Sequence, residues 1–495
     1  MDNFETLKKL ISEINWKDCI LFSTDSYKYS HFEQYPEGTT KIYSYIEPRS
    51  IHKEFGISSV IVMGVQYFIN KYLMKPITMK HVEAANLFAR LHGIPFNYNG
   101  WKRIVEKCNG YLPIEIKAVK EGSSVRVKNA ICTVTNTDDE FPWIVNYIET
   151  ALLRSVWYQT TVATYSNECK KVILESLAVT SYPKGSPVNW EDYINSANFN
   201  LHDFGARGVS SGESAMIGGA AHIGSFMGSD TIEGILSLIE NTNPDSMPAF
   251  SVPAAEHSTV TIYLRDGEKE AILNMINKFK GKFPIISFVA DSYDLWNNIN
   301  MVCVDLIDEI RASGLKYVIR PDSGNPAKTI LKVFEHIKHY GLMKLNENGY
   351  YELPDYLGVL QGDGIDLRSL KSILDTLTSN QFSSKGLVFG MGGKLLQSHS
   401  RDDFGFAMKC SYAIVNGEPR DVFKDPVTDS GKRSKKGMLK LITFNRAHHT
   451  VSTSDDPNWE CYPDELESKY KNIDNGIVVS IDKFEDIKKR ISSYI

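Results

Sequence analysis

A polar loop of sequence Arg320-Pro321-Asp322-Ser323-Gly324-Asn325-Pro326 follows the apolar run Tyr317–Ile319, and a helical pattern comes after it. Two later junctions, Leu360–Gly364 and Phe389–Gly393, repeat this order of apolar run, glycine-containing loop and helix. Glycine lets backbone amides approach an anion closely, so such loops are suited to hold phosphate oxygens and ribose hydroxyls.

Four earlier junctions within residues 197–397, polar or glycine-rich, also join an apolar run to a helical pattern, and markers taken from the seven loops lie 26 to 41 residues apart. This spacing is close to the roughly 30 residues of a strand-plus-helix unit. The run 284–289 lacks alternation, as expected of a parallel strand covered on both faces. We predict an α/β fold with a TIM-like β/α barrel, complete or incomplete, whose loops converge at one mouth; an open doubly wound sheet is the alternative. The markers are Phe204, Asp230, His257, Asp291, Asp322, Asp363 and Gly392.

Helical periodicity separates the junctions. Two apolar stripes recur at three to four residues: Leu295, Ile299, Val302, Leu306 and Ile310, and then Ile330, Val333, Phe334 and Ile337.

The two ends of the chain differ from its middle. Runs 40–46 and 114–119 alternate like strands. The basic run 432–436 is either a solvated surface or a clamp for phosphate or pyrophosphate. We predict three parts: an N-terminal α+β part, 1–190; the barrel carrying the active site, 191–397; and a C-terminal segment, 398–495, that packs with the N-terminal part as a second α+β domain.

Composition indicates an ordinary soluble enzyme of 495 residues, with 42% hydrophobic residues, 23% charged residues and a net charge of -5. We therefore expect neither nucleic acid nor membrane as a partner. Charged residues throughout 1–21 argue against a secretory signal, so the expected location is the cytoplasm. The seven cysteines include no Cys-x-x-Cys pair, and reduced thiols are expected.

Ten short strings, in the same order over nearly the whole chain, resemble the nicotinamide phosphoribosyltransferases, type II phosphoribosyltransferases related to nicotinate phosphoribosyltransferase. They are Thr24–Lys28, Tyr43–Tyr45, Leu112–Ala118, His202–Gly205, Arg207–Ser211, Ser251–Thr259, Asp291–Asp294, Arg320–Pro326, Gln361–Gly364 and Lys432–Gly437.

The resemblance implies that a phosphoribosyl group passes from phosphoribosyl pyrophosphate to nicotinamide, giving nicotinamide mononucleotide and pyrophosphate in NAD salvage. It also implies Mg²⁺, stimulation by ATP through phosphorylation of His257, and a cytoplasmic homodimer with shared active sites. The pyridine nitrogen has a free lone pair and no proton, so its attack needs no general base. Orientation, stabilisation of the leaving polyanion and exclusion of water are what the chemistry requires.

For the base, the resemblance implies that Phe204 stacks on one face of nicotinamide and that Tyr27 of the partner subunit stacks on the other, with Asp25 nearby. Asp230 would accept a hydrogen bond from the carboxamide and repel nicotinate. Taken singly, Phe204 is equally consistent with core packing and Asp230 with a helix cap.

For the phosphoribosyl and pyrophosphate groups, the resemblance implies two sets of residues. Catalytic roles fall to His257, Asp291, Arg320 and Asp322: His257 and Arg320 on the pyrophosphate side, Asp291 orienting that side or holding magnesium, and Asp322 on the ribose hydroxyls. Substrate binding adds Arg207, Gly362, Asp363, Gly392, Gly393, Arg401, Lys409 and Arg49. An arginine alone is equally consistent with a surface ion pair, and a histidine with a loop anchor.

The chain departs from the family pattern at Ala206, Met391 and Lys394, which bears on the pocket's shape and its response to inhibitors. Three rival functions are nicotinate phosphoribosyltransferase, a barrel lyase or isomerase using the same phosphate loops, and a non-catalytic binding protein.

Overall fold

The computed structural model describes residues 3–182, 189–428, 433–445 and 447–495. Lys432, the first residue of the basic run, lies outside these ranges. The chain forms two compact units, which we name the sheet unit and the barrel unit. The sheet unit comprises Met1–Thr164, Asn241–Asn243 and Ser400–Arg490; the barrel unit comprises Tyr165–Glu240, Pro244–His399 and Ile491–Ile495.

The N- and C-terminal segments thus build one unit together. The sequence placed the division at residues 190 and 397, whereas the units divide after Thr164 and after His399. The first division falls inside the helix Glu149–Thr180, whose sequence contains no proline or glycine to mark it.

Six parallel strands form the sheet of the barrel unit. The segment 250–254 makes parallel bridges at both of its edges, one between Gly228 and Phe250 and the other between Ala254 and Ser287. Seven strand positions therefore form a closed ring in chain order. In order across the sheet the strands are Gly228–Ser229, Leu201–Asp203, Leu387–Met391, Leu357–Gln361, Lys316–Arg320 and Ile285–Val289.

This ring confirms the predicted TIM-like barrel in its incomplete form, since the described residues supply seven positions rather than eight. The open doubly wound alternative is wrong, because both edges of the sheet pair with the same segment.

The helix Pro326–His339 shows how the sequence sets the local structure. Asn325 caps it by accepting the N–H of Lys328 at 3.1 Å, and proline fits its first turn, where a backbone N–H is not needed. All four residues of the predicted stripe are fully buried. The earlier stripe also lies on helix, but a π-helical turn, Met301–Asp305, interrupts it.

Other helices cover the barrel. They are Trp190–Asn195, Gly212–Ile223, Ile232–Thr242, His257–Thr261, Glu268–Phe279, Leu295–Asn300, Ile307–Ser313, Leu367–Ser379 and Gly393–Leu396. A short hairpin pairs Lys344–Leu345 with Tyr351–Glu352.

The sheet unit is built on a seven-stranded antiparallel sheet. Its strands in order are Glu418–Asp421, Ala407–Val415, Thr39–Glu47, Cys132–Asn136, Ile114–Ala118, Glu467–Ile473 and Gly476–Val479. Both runs predicted as strands from alternation are strands of this sheet. Smaller sheets pair Ser59–Ile61 with Ser124–Arg126, and Leu439–Phe444 with Ala447–Ser452.

The helices of the sheet unit include Asn3–Ser12, Val65–Phe68, Met79–His92, Tyr98–Lys107 and Ile144–Tyr147, together with most of Phe484–Ser492. Among the described residues, no helix has the length and apolar character needed to cross a bilayer.

Candidate active site

The predicted site residues of the barrel unit follow the carboxyl ends of its strands. Register pairs Asp203 with Met391 and Val289 with Arg320, so neighbouring parallel strands end at the same edge of the sheet. The loops after these strands therefore emerge at one mouth. Residues placed there are Phe204, Arg207, Asp230, Asp291, Asp322, Gly362, Asp363, Gly392 and Gly393, with His257 just after the segment 250–254.

Phe204 lies across the end of the neighbouring strand. Its N–H donates to the carbonyl of Met391 at 2.9 Å. A Cβ built on Gly390 would lie 2.1 Å from the Phe204 ring, so only glycine fits beneath it. On the ring, the guanidinium carbon of Arg320 lies 5.5 Å from the centroid. The half-exposed ring is thus held beside a cation and is not a core residue.

Asp230 has an exposed carboxylate at the same mouth. The hydroxyl of Ser251 donates to its Oδ1 at 2.5 Å, and its N–H donates to the carbonyl of Asp203 at 3.0 Å. The following helix begins at Ile232, so Asp230 precedes the cap position by one residue. Its second oxygen, Oδ2, therefore remains for a ligand.

A network of charged groups lies on the other side of Arg320. Arg320 Nη2 donates to Asp322 Oδ1 at 2.8 Å, and the N–H of Asp322 donates to Asp291 Oδ2 at 3.1 Å. The Nε2 atom of His257 lies 3.6 Å from Asp322 Oδ2 and 3.8 Å from Asp291 Oδ1. Its Nδ1 lies 3.0 Å from the hydroxyl of Ser292.

Two atoms of this network have unused hydrogen-bonding capacity. Arg320 Nε and Asp291 Oδ1 are buried and make no hydrogen bond among the described residues. Buried polar atoms are nearly always paired, so such atoms indicate a place for a ligand or ion.

Glycines line the mouth beside this network. A Cβ on Gly362 would lie 3.3 Å from Arg320 Nε and 3.5 Å from Asp322 Oδ1, which places this loop against the ion pair. Gly393 lies against Gly208, because a Cβ built on Gly208 would come within 3.1 Å of the Cα of Gly393. Gly392 leaves open space beside the carbonyl of Phe204. A substrate can thus reach the backbone amides of both loops.

The remaining side chains differ in exposure. Arg207, on the short 3₁₀ helix Ala206–Gly208, is exposed, as are Asp363 and Lys394. Met391 is fully buried. Of the departures from the family pattern, Lys394 therefore faces solvent at the mouth, whereas Met391 belongs to the barrel packing.

Five predicted residues belong to the sheet unit: Asp25, Tyr27, Arg49, Arg401 and Lys409. Asp25 Oδ2 accepts the hydroxyl of Thr150 at 2.6 Å. The ring of Tyr27, one residue into the 3₁₀ helix Ser26–Glu33, is 58% exposed.

Buried Lys28 anchors this 3₁₀ helix. Its Nζ pairs with Glu149 Oε2 at 2.8 Å and donates to the carbonyl of Asn146 at 3.0 Å. Tyr27 is therefore presented to solvent from a fixed backbone.

Cations collect on the strand Ala407–Val415 and around it. Burial lowers the pKa of Lys409, and the positive charges of Arg49, Lys424 and Arg401 lower it further, against an opposing effect of Glu149. Arg49 Nε donates to the carbonyl of Gly405 at 2.8 Å. Their mutual repulsion makes this group, which we name the cation cluster, a site that favours a bound anion.

Sequence reasoning assigned no role to several residues that shape these sites: Gly390, Ser251, Ser292, Lys28, Glu149 and Lys424. Gly390, Ser251, Ser292 and Lys28 lie in motifs quoted above, but only their three-dimensional contacts distinguish their role from that of adjacent residues. Lys424 belongs to the basic residues that become frequent after Gln397, whereas Glu149 had no sequence signal.

Comparison with known proteins places the chain. The model of the nicotinate phosphoribosyltransferase family matches residues 199–457, and the N-terminal domain model of nicotinamide phosphoribosyltransferase matches residues 19–116. A nicotinamide phosphoribosyltransferase of Xanthomonas campestris is 40% identical over 431 residues, 87% of this chain and 88% of that protein. One from Acinetobacter baylyi is 32% identical, covering 85% and 88%.

The chain belongs to the nicotinamide phosphoribosyltransferase family. A relative from Mycoplasma genitalium, with the same name, is 29% identical over 88% of this chain and 99% of that protein. These matches confirm the predicted family and the prediction that the protein is a phosphoribosyltransferase.

Solved structures extend the likeness of fold. Nicotinate-nucleotide pyrophosphorylase from Pyrococcus furiosus aligns over 96% of this chain and 94% of its own, with a TM-score of 0.58 and 16% identity. Human nicotinic acid phosphoribosyltransferase aligns over 95% and 93%, with a TM-score of 0.54 and 14% identity. At these identities the likeness concerns the fold.

Proposed function

We propose that this nicotinamide phosphoribosyltransferase family member transfers the phosphoribosyl group of phosphoribosyl pyrophosphate to nicotinamide, for NAD salvage. The observation that carries this proposal is the arrangement of three groups at one barrel mouth: the Phe204 ring, the Asp230 carboxylate and the Arg320–Asp322 ion pair. A flat neutral base, an amide and a charged phosphoribosyl group each find a matching partner there.

The base site needs no proton acceptor for the nucleophile. The pyridine nitrogen attacks C1 of the ribose with its own lone pair while the bond from C1 to the pyrophosphate oxygen breaks. Phe204 orients the ring by stacking, which contributes about 0.5–1.5 kcal/mol beyond area burial. Asp230 Oδ2 accepts the carboxamide N–H, and the same negative charge repels nicotinate.

The leaving group is a polyanion, so fixed positive charge is the main requirement. Arg320 offers a planar guanidinium, and its unpaired Nε is available for a phosphate oxygen. Arg207 supplies a second guanidinium with no ion-pair or hydrogen-bond partner among the described residues. Asp322 holds ribose hydroxyls, while the amides of Gly362, Asp363, Gly392 and Gly393 receive the 5′-phosphate and ribose.

Magnesium is a further part of the proposal. The described residues contain no group of three His, Cys, Asp or Glu side chains arranged to hold a metal ion. Mg²⁺ commonly binds through one or two carboxylates together with substrate phosphates and water, and the unpaired Oδ1 of Asp291 fits that mode. Bound there, the ion would neutralise charge on the leaving pyrophosphate.

ATP stimulation through His257 is proposed on chemical grounds. The imidazole stands beside Asp291 and Asp322 and is 47% exposed, so a phosphate can reach it. We predict that His257→Ala abolishes stimulation by ATP and leaves slow basal synthesis, measured as mononucleotide formed with and without ATP. An unchanged response to ATP would remove His257 from this role.

A homodimer is proposed as the active form. The helix Ile232–Thr242 exposes an apolar stripe of Ile232, Leu236 and Ile239, and the sheet unit exposes the Tyr27 ring. Mixed dimers of Tyr27→Ala and Phe204→Ala chains would then recover one intact site, so mixing two weak variants should restore activity. Absence of recovery in mixtures shown to exchange subunits would contradict shared sites.

One assay tests the main proposal. Purified protein is incubated with phosphoribosyl pyrophosphate, Mg²⁺ and either nicotinamide or nicotinate, and the mononucleotides are quantified. We expect nicotinamide to be preferred. Asp230→Ala should raise KM for nicotinamide far more than KM for phosphoribosyl pyrophosphate. A preference for nicotinate would favour the rival nicotinate phosphoribosyltransferase, and turnover without phosphoribosyl pyrophosphate would favour a lyase or isomerase.

A further inference from the structure

The carboxylate of Asp203 is fully buried at the end of the first barrel strand, Leu201–Asp203. Its Oδ1 accepts the N–H of Gly205 at 2.7 Å, which fixes the turn carrying Phe204. Its backbone carbonyl accepts the N–H of Asp230 at 3.0 Å. One residue therefore ties together the two loops that form the base site.

The packing around this carboxylate leaves it little freedom. A Cβ on Gly205 would lie 3.0 Å from Oδ1, and a Cβ on Gly219 would lie 3.3 Å from Oδ2. Oδ2 and the hydroxyl of Thr231 are both buried, and neither makes a hydrogen bond of good geometry. Burying a half-paired carboxylate costs folding free energy, so stability alone does not explain an aspartate here.

The charge of Asp203 also acts on the base site. Burial and, to a smaller extent, the nearby charge of Asp230 raise its pKa, while the Gly205 N–H and the neighbouring Thr231 hydroxyl lower it, and the net pKa is about 6, so the group is largely ionised at pH 7. A second negative charge thus stands behind the Asp230 carboxylate. A neutral carboxamide is little affected by it, whereas an anionic pyridine carboxylate is repelled by both groups.

We propose that Asp203 is a positioning residue that sets base specificity: it holds the Phe204 and Asp230 loops in register, and its charge adds to the exclusion of nicotinate. This inference rests on the proposed function and assigns part of the discrimination to a residue that does not touch the substrate.

Asp203→Asn tests the charge with little change of shape, because the amide oxygen can still accept the Gly205 N–H. The matched control is Asp366→Asn, in the same unit, where the carboxylate caps the helix Leu367–Ser379 and accepts the N–H of Ser369 at 2.8 Å. For each protein, kcat and KM are measured for nicotinamide and nicotinate, and KM for phosphoribosyl pyrophosphate.

We expect Asp203→Asn to lower the ratio of kcat/KM for nicotinamide to that for nicotinate about tenfold, equivalent to about 1.4 kcal/mol. The change should come mainly from improved use of nicotinate, with KM for phosphoribosyl pyrophosphate within about twofold of wild type. Asp366→Asn should leave the ratio unchanged. Equal losses with both bases, or an unchanged ratio, would show a merely structural role and overturn the inference.

The wild-type assay distinguishes failure of the proposed function from failure of this inference. If wild-type protein forms no nicotinamide mononucleotide, the proposed function fails. If it does, and Asp203→Asn leaves the ratio of kcat/KM for the two bases unchanged, only this inference fails. Should Asp203→Asn be recovered unfolded, Asp203→Ser, which leaves room for a water molecule, is measured in its place. Failure of both variants to fold would also overturn the specificity role.

Discussion

The barrel mouth and the cation cluster of the sheet unit handle charge in opposite ways. At the mouth, Arg320 is paired with Asp322, and Asp291 accepts an N–H from the same loop, so the charges hold one another in place before any substrate arrives. In the cation cluster, burial and then the neighbouring positive charges lower the pKa of Lys409. The mouth is preorganised by pairs of opposite charge, whereas the cluster, in which Arg401 pairs with Asp402 at 3.0 Å, keeps an excess of positive charge that a bound anion would offset.

This difference separates two contributions to phosphoribosyl transfer. A paired and oriented cation acts where charge develops in the transition state, and its loss should reduce kcat. A cluster of like charges that held an anion to a similar extent before and during reaction would contribute to KM, so its loss should raise KM.

Arg320→Ala should have the largest effect, because it removes the cation beside Phe204 and takes from Asp322 its guanidinium partner. We expect kcat/KM to fall about a thousandfold, mostly in kcat, in line with the loss of one preorganised transition-state donor. Steady-state kinetics with both substrates measures the fall in kcat/KM and its division between kcat and KM.

The control for this variant is Arg311→Ala. Arg311 lies on the helix Ile307–Ser313 and also combines a carboxylate, Asp308, with an aromatic ring, that of Tyr356. It should retain wild-type activity within about twofold. A similar loss in both variants would mean that the effect of Arg320 is general destabilisation.

The two units should also respond to pH with opposite sign. In the barrel unit, burial lowers the pKa of His222 to about 3, against about 6.5 in the unfolded chain. As pH falls below 6.5, the unfolded chain gains a proton that folded His222 does not. The free energy of unfolding therefore falls by up to about 1.4 kcal/mol per pH unit.

In the sheet unit, burial raises the pKa of Glu121 to about 7, and the charge of Asp482 adds to the shift. Between about pH 4.5 and 7 the folded state holds a proton that the unfolded chain lacks. Its contribution to stability is thus present at low pH and lost as pH rises through 7, a change of about 2 kcal/mol between pH 5.5 and 7.5.

Hydrogen exchange of strand peptides from each unit at pH 5.5 and 7.5, corrected for intrinsic exchange rates, measures both effects. On going to pH 5.5 the barrel strands should lose protection and the sheet strands should gain it. His222→Gln and Glu121→Gln should each reduce the dependence in their own unit only; part of it should remain in the barrel unit, where the pKa values of Asp203 and His202 are also shifted. The same sign of change in both units would contradict the two assignments.

Lys409→Gln should have the smallest effect. Removing one charge from the cation cluster should raise KM for phosphoribosyl pyrophosphate about five- to tenfold and leave kcat and KM for nicotinamide near wild type. The difference should shrink at high salt, since exposed charges are screened. Lys117→Gln, in another strand of the same sheet, is the control; an equal rise there would assign the effect to net charge.

Local periodicity explains what the sequence predicted well. The stripe on Pro326–His339 and the apolar run that became Ile285–Val289 record burial within a few residues, and the strand-to-strand spacing indicated the barrel. The spacing also marked His257, which follows the segment 250–254, as one of the seven junctions. It did not show that this segment joins the ring by isolated bridges and not by a run of strand residues.

The sequence did not predict contacts between distant residues, because such contacts depend on the folded structure. That Gly390 must lack a side chain depends on where the Phe204 ring lies, nearly 190 positions earlier. Likewise, the pair between Lys28 and Glu149 and the pairing of Ser251 with Asp230 follow from three-dimensional packing. Family resemblance named the residues with assigned roles, but not the neighbours that hold them.

The segment 250–254 closes the ring through one bridge at each edge and also carries the serine that contacts Asp230. Its exchange would disturb few backbone hydrogen bonds of the barrel, whereas exchanging a regular strand would break a ladder on both sides. Exchange of this short segment between relatives would therefore change the surroundings of the Asp230 carboxylate and leave the hydrogen-bond ladders of the regular strands in place.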